Sequence, residues 1–188
     1  MDSWQTFTFL VPYILSFGIS LSVGINAWRR KSVQGALSFS WVALSQSSTT
    51  LGYIFELISP TIQGKIFWDD FQWLGLIGWF LGILAFVIQF TEMKLAHPKR
   101  IWFFLSLIPG FFLLIVFTNG MHGLLHSDEI LIPGKPFSAL DYEITIPMLL
   151  FAVYGIFLSW RVCYSSSGNT KTLNRFIVHK PRLFFLVQ

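Results

Sequence analysis

Five stretches of this chain are apolar for long enough to cross a bilayer, and short polar breaks separate them. From Ser3 to Trp28 no residue is charged, and Trp4 and Trp28 bracket the run where interfacial aromatics gather. The pattern predicts spans over about residues 4–28, 36–57, 71–91, 101–117 and 144–160, all helical because only helices and closed barrels satisfy their own backbone in lipid. Ser59-Pro60 stops the second, since proline lacks the donor and disfavours helical geometry in the residue before it. A short loop is expected from there to Phe71. Pro147 falls in the first turn of the fifth span, where proline is tolerated.

Two spans carry internal features. The second is polar in its middle, Ser45-Gln46-Ser47-Ser48-Thr49-Thr50, a poor face for lipid, and these groups are expected to hydrogen-bond to neighbouring helices or to their own backbone, as packing glue or as the lining of a water- or ligand-filled cavity. The third holds Gly75, Gly78 and Gly82 at spacings of three and four, a groove for close packing. Residues 118–143 form the longest polar connection, rich in Gly and Pro and acidic. The expected organisation is a transmembrane domain over residues 1–164 and a basic tail over 165–188. Leu183 to Val187 resembles the start of a further span, so the chain reads as cut short.

Composition agrees: 54% hydrophobic and 12% charged residues, with mean hydropathy +0.62, exclude an ordinary soluble domain. Charge then orients the spans, because Lys and Arg accumulate in cytoplasmic loops. Eleven of the thirteen basic residues fall in one set of alternating loops (Arg29 to Lys31, Lys94 to Arg100, Arg161 onward) and only Lys65 and Lys135 in the other. The expectation is an all-α polytopic transmembrane helical bundle in the plasma membrane, N-terminus outside and C-terminus cytoplasmic. No basic stripe with interleaved aromatics indicates a nucleic-acid partner, and the single Cys163 permits no intrachain disulfide.

The candidate chemistry lies at the outer ends of the helices. Glu56, within the end of the second span, is costly there, by roughly 2.5–3.5 kcal/mol at membrane depth, so it should face helices, a polar cavity or headgroups. Trp68 and Gln72 follow at helical spacing, with Asp69 and Asp70 beside them. A small cavity walled by Glu56, Trp68, Gln72 and His122 is the sharper reading, and an aromatic belt the plainer one. Asn119 and His122 are expected to hydrogen-bond to the end of the fourth span. His122 and His126 would share a helical face and could bind a metal, but two glycines lie in the segment and no third ligand lies close in sequence. No metal or cofactor is therefore expected. No phosphate loop, nucleophile elbow or His-Glu-x-x-His is present, so no enzyme is expected.

These residues also carry a resemblance. Ala27-Trp28-Arg29-Arg30, Phe39-Ser40-Trp41, Leu51-Gly52-Tyr53-Ile54-Phe55-Glu56-Leu57, Lys65-Ile66-Phe67-Trp68, Phe71-Gln72-Trp73-Leu74-Gly75, Phe90-Thr91 and Thr118-Asn119-Gly120-Met121-His122-Gly123-Leu124 follow one another over about residues 5 to 160. In that order and spacing the chain resembles the N-terminal seven-transmembrane sensor region of certain bacterial histidine kinases. The resemblance implies a sensor whose helices relay a stimulus to a cytoplasmic kinase, usually within a dimer. Against it stand five complete spans rather than seven, and no kinase segment. The expectation is a non-catalytic input domain whose partners are membrane lipids, a small or lipid-like ligand, and a second copy or a partner membrane or kinase protein. The rival expectation is a small transporter or channel subunit, with Glu56 and the polar middle of the second span lining a path.

Overall fold

The computed structural model describes residues 3–91 and 97–167. Four long helices dominate: α1 (Ser3–Arg29), α2 (Ala36–Ile58), α3 (Ile62–Phe90) and α4 (Pro98–Phe117). A single helical turn, α5 (Asn119–His122), leads to an antiparallel hairpin of β1 (His126–Ile132) and β2 (Ala139–Ile144), and α6 (Ile146–Ser167) follows. The all-α class fits, with the hairpin as its one addition among the described residues. The expected tail from residue 168 and the connection at 92–96 lie outside the described residues.

Among the described residues three helices are long and apolar enough to cross a membrane, at Thr6–Arg29, Ile62–Phe90 and Pro98–Phe117, and the apolar part of α6 is Ile146–Arg161. α2 has the length, 23 residues, but its run of Ser, Thr and Gln dilutes its hydropathy. Apolar residues face outward in quantity: Phe103, Phe104, Phe111 and Leu114 on α4, and Leu149, Leu150, Val153 and Ile156 on α6, are all more than half exposed. The buried hydrophobics among the described residues are only Ala43, Ile77, Leu84, Phe112, Val116 and Leu125. Apolar surface on this scale suits hydrocarbon as the solvent. The chain is a mostly helical membrane protein.

α2 packs between α1 and α3, and the glycine groove accounts for the α3 side. A Cβ on Gly82 would come within 2.8 Å of the Trp41 ring, one on Gly78 within 2.6 Å of Ser45 Oγ, and one on Gly75 would strike the Thr49 hydroxyl and the Ser45 carbonyl. The absent side chains let the backbones approach, and the Trp41 indole N–H then donates to the Gly78 carbonyl at 2.9 Å. Some of the polar side chains of α2 bond across to the neighbouring helices and others to their own backbone. Ser40 donates to the Gly24 carbonyl of α1 (2.7 Å) and Ser38 to the Gln89 side chain of α3 (2.8 Å), while Thr49 and Thr50 return to their own helix at Ser45 and Gln46. On the other flank of α3, Trp73 meets Phe112 of α4, and Phe112 stacks on Phe151 of α6 with centroids 3.9 Å apart.

Two boundaries correct the sequence reading. No loop runs from Thr61 to Asp70: α3 begins at Ile62, with the Thr61 hydroxyl accepting from the Gly64 N–H at 3.2 Å. Its 29 residues make about 43 Å of helix against about 30 Å of hydrocarbon, and Lys65, Asp69 and Asp70 all lie in its first three turns. The second correction concerns residues 144–145, expected at the start of the last helix. Tyr142 and Ile144 belong to β2, and α6 starts at Ile146. Proline-bounded residues 133–136 turn the chain between strands whose alternation, half-buried Leu140 and Tyr142 against exposed Asp141 and Glu143, was the available sign.

Candidate functional site

The extended start of α3 and the docked hairpin bring the polar residues of one end of the bundle together. Glu56 is half-buried in the last turn of α2, and Gln72 of α3 donates to its Oε2 at 2.8 Å. Trp68 lies on Phe55 with centroids 4.6 Å apart and a 22° tilt, which seals the apolar side of this pair. Lys65 is fully buried, and its Nζ donates to the Glu56 and Leu57 carbonyls at 2.7 and 3.3 Å. It thereby joins the Ser59 N–H (3.2 Å) on the Glu56 carbonyl, takes up the Leu57 carbonyl, and places a cation at the negative end of the helix dipole.

Asp69 and Asp70 face the hairpin. The Tyr142 hydroxyl donates to Asp69 Oδ2 at 3.4 Å, and His126 Nε2 stands 3.5 Å from Asp70 Oδ1. The imidazole is 1% exposed and lies against the Tyr142 ring at 4.7 Å. Its other nitrogen, Nδ1, is 2.8 Å from Glu129 Oε1. Residues 126 and 129 of a regular strand point to opposite faces. A bulge between Ser127 and Ile130, with Asp128 at φ 56°, turns Glu129 back onto the histidine. Asn119 fixes the same corner: its Oδ1 accepts from the Leu125 N–H (2.7 Å) and its Nδ2 donates to the His126 carbonyl (2.9 Å), passing 3.2 Å from Nδ1.

Burial works against a charged His126 ring, but the carboxylates of Asp70 and Glu129 beside it outweigh that and hold its pKa above the ordinary 6.5. Burial, then the charge and hydrogen bond of Asp69, push the Tyr142 phenol up, so it stays a donor. Asp69, Asp70 and His126 each offer one ligand atom, all within 4.8 Å of one another, the one such three-residue set among the described residues.

The sequence-predicted residues divide. Glu56 and Gln72 are bonded, Trp68 lies one helical turn from Gln72, and Asn119 joins the cluster through His126. His122 does not join it. Exposed on α5, it accepts from the Leu124 N–H at Nδ1 (3.1 Å), while its Nε2 lies 3.0 Å from the Thr118 hydroxyl, which itself donates to the Leu114 carbonyl at the end of α4. That part of the expectation for His122 holds, whereas Asn119 turns toward the hairpin instead. His122 and His126 share no helical face, because Gly123 at φ 58° ends the turn between them. Sequence reasoning missed Tyr142 and Glu129 altogether and left Lys65 as a loop charge; only the spacing of apolar and acidic residues in 139–144 pointed to the strand that carries Tyr142.

One comparison with known proteins is positive. The family model described as the N-terminal 7TM region of histidine kinase matches residues 12–170. No curated protein and no solved structure matches the chain.

Proposed function

The chain belongs to the family of N-terminal 7TM regions of histidine kinases, and from that premise we propose that it is a multi-pass input domain of two-component signalling, non-catalytic in itself, in the plasma membrane. Its N-terminus faces outward and its C-terminus the cytoplasm, with α1, α2, α3, α4 and α6 as five spans. The basic turn after α1 and the end of α3 lie together, Gln34 donating to the Gln89 carbonyl at 2.8 Å, as that alternation requires. The stimulus acts at the opposite, outer end, where Glu56, Trp68, Gln72 and Asn119 surround the start of α3, and a small or lipid-like ligand is the class that fits an acid and an amide backed by aromatic rings. The signal passes to a kinase through paired copies of the region or through a partner membrane protein.

The observation that carries this reading is the continuity of α3. One unbroken helix holds the Glu56–Gln72 and Asp70–His126 contacts at one end and the Gln89 contacts to α2 and the preceding turn at the other. A ligand that favours one position of its outer turns therefore biases the inner end as well, and only a difference in affinity between two packings can do so. In an intact histidine kinase bearing this region, Glu56→Gln and Trp68→Ala should each shift the stimulus dose–response of autophosphorylation while leaving membrane insertion intact. An unchanged dose–response in both variants overturns the reading. Four hydroxyls of α2 are engaged: Ser38 with Gln89, Ser40 with the Gly24 carbonyl, and Thr49 and Thr50 with their own helix.

A further inference from the structure

The contact between α3 and the hairpin gathers Asp69, Asp70 and Glu129 around one imidazole, so even a protonated His126 leaves it short of positive charge. Two groups compete at His126 Nδ1: the Asn119 amide, a donor, at 3.2 Å, and the Glu129 carboxylate, an acceptor, at 2.8 Å; the amide already donates to the His126 carbonyl at 2.9 Å, so the shorter contact to Glu129 assigns the proton of the neutral ring to Nδ1. Nε2 is then a lone pair, and it faces Asp70 Oδ1 at 3.5 Å. Both atoms are buried and neither has a hydrogen-bond partner. Two acceptors do not face each other out of water unless something positive lies between them. Asp69 adds a second carboxylate to the same space, and Lys65, one turn earlier on α3, is committed to the carbonyls of α2.

We propose that Asp69, Asp70 and His126 bind a divalent transition-metal cation of the zinc type, which ties β1 to the outer turns of α3. The donor set of one imidazole and two carboxylates suits such an ion better than magnesium or calcium, which prefer oxygen alone. Metal–ligand bonds of about 2.1 Å in tetrahedral geometry put donor atoms about 3.4 Å apart, close to the Nε2–Oδ1 separation. The widest gap in the triad, at most 4.8 Å, closes by about 1.4 Å through carboxylate rotation. Glu129 completes a carboxylate–histidine–metal arrangement, fixing the ring tautomer and its orientation. A fourth position is left for water or for a donor atom of an external ligand. Two negative ligands and one neutral one balance the charge of a divalent ion, whereas a proton on Nε2 answers Asp70 alone.

The assignment rests on the outer cluster proposed above as the sensing end, but it is read by binding in the isolated chain, so it fails or survives separately from the signalling reading. The full chain, purified in nanodiscs and stripped with chelator, is titrated with Zn2+ by calorimetry. One saturable site per chain is expected, with Asp70→Asn and His126→Gln each weakening it by about tenfold or more and Glu129→Gln by about tenfold. Substituting the other three histidines, His97, His122 and His179, by Gln should leave affinity unchanged. Because the ligand variants could loosen the hairpin, the unmutated chain is also loaded with Cu2+, and pulsed electron paramagnetic resonance should report a single coordinated imidazole. The absence of a saturable site, a site indifferent to Asp70→Asn and His126→Gln, a site lost with the other three histidines, or more than one imidazole on copper would each overturn the proposal.

Discussion

The two flanks of α3 are built on different physics. Toward α2, small residues let backbones touch: Gly75, Gly78 and Gly82 admit Thr49, Ser45 and Trp41, and attraction is the sum of many short contacts that alter little unless a helix moves. Toward the hairpin, a few directional contacts hold the surfaces together, Asp70 to His126 and Asp69 to Tyr142, at 3.5 and 3.4 Å and with charge at stake in each. The first arrangement resists chemistry and the second responds to it. A helix with a close-packed seam along its length and a chemically adjustable joint at one end is suited to carry a change from one to the other.

Adding volume to the seam should break the comparison most severely. Gly75→Leu drives a side chain into the Thr49 hydroxyl and the Ser45 carbonyl, and should cost about 3 kcal/mol, read as a fall in the thermal midpoint of the detergent-solubilised chain. Gly110→Leu on α4, where a Cβ meets nothing within 4 Å, should leave the midpoint unchanged. Equal losses in the two variants would mean that the groove is not the seam. At the joint, Asn119→Ala strips partners from the buried Leu125 N–H and the His126 carbonyl at once, and about 2 kcal/mol of local stability should go. Hydrogen exchange should show faster exchange in residues 125–132 and no change in α2.

The smallest effect is a pH dependence confined to the joint and measured with chelator present. The folded state raises the pKa of His126, which faces Asp69 and Asp70 from α3 and Glu129 and Tyr142 from the hairpin, so protonation favours the docked hairpin. That contribution is complete below pH 6.5, the unfolded value, and is lost as pH rises through the higher folded value. Exchange in β1 should therefore quicken with rising pH beyond its intrinsic pH dependence. The same excess acceleration in α2 would show that the two flanks are not distinct.

Much of the membrane part was legible in order because each element is set by local composition. Apolar runs of spanning length, the proline after Ser59 and the glycine spacing of α3 all act on their own segment, and they located α1, α2, α4 and the seam of α3 within a few residues. The end that holds the start of α3 and the hairpin was less legible. The first nine residues of α3 are polar enough to read as a loop, yet Thr61 caps them and Lys65 ties them to α2, so contact with a neighbour completes the helix. The hairpin was hidden by its Gly and Pro content, which reads as irregular chain until two strands pair.

What the sequence determined by itself is therefore the solvent and the scaffold: a chain this apolar belongs in lipid, as helices, with Glu56 as an acid that must find a partner near one end. Tertiary structure alone decided who the partners are. His126 meets Asp70 and not His122 because Gly123 breaks the turn between the histidines, and Glu129 reaches the same ring because a bulge reverses one residue of a strand. Burial and hydrophobic period are properties of a segment, but a charged contact is a property of two segments and of the backbone geometry that delivers them to one point.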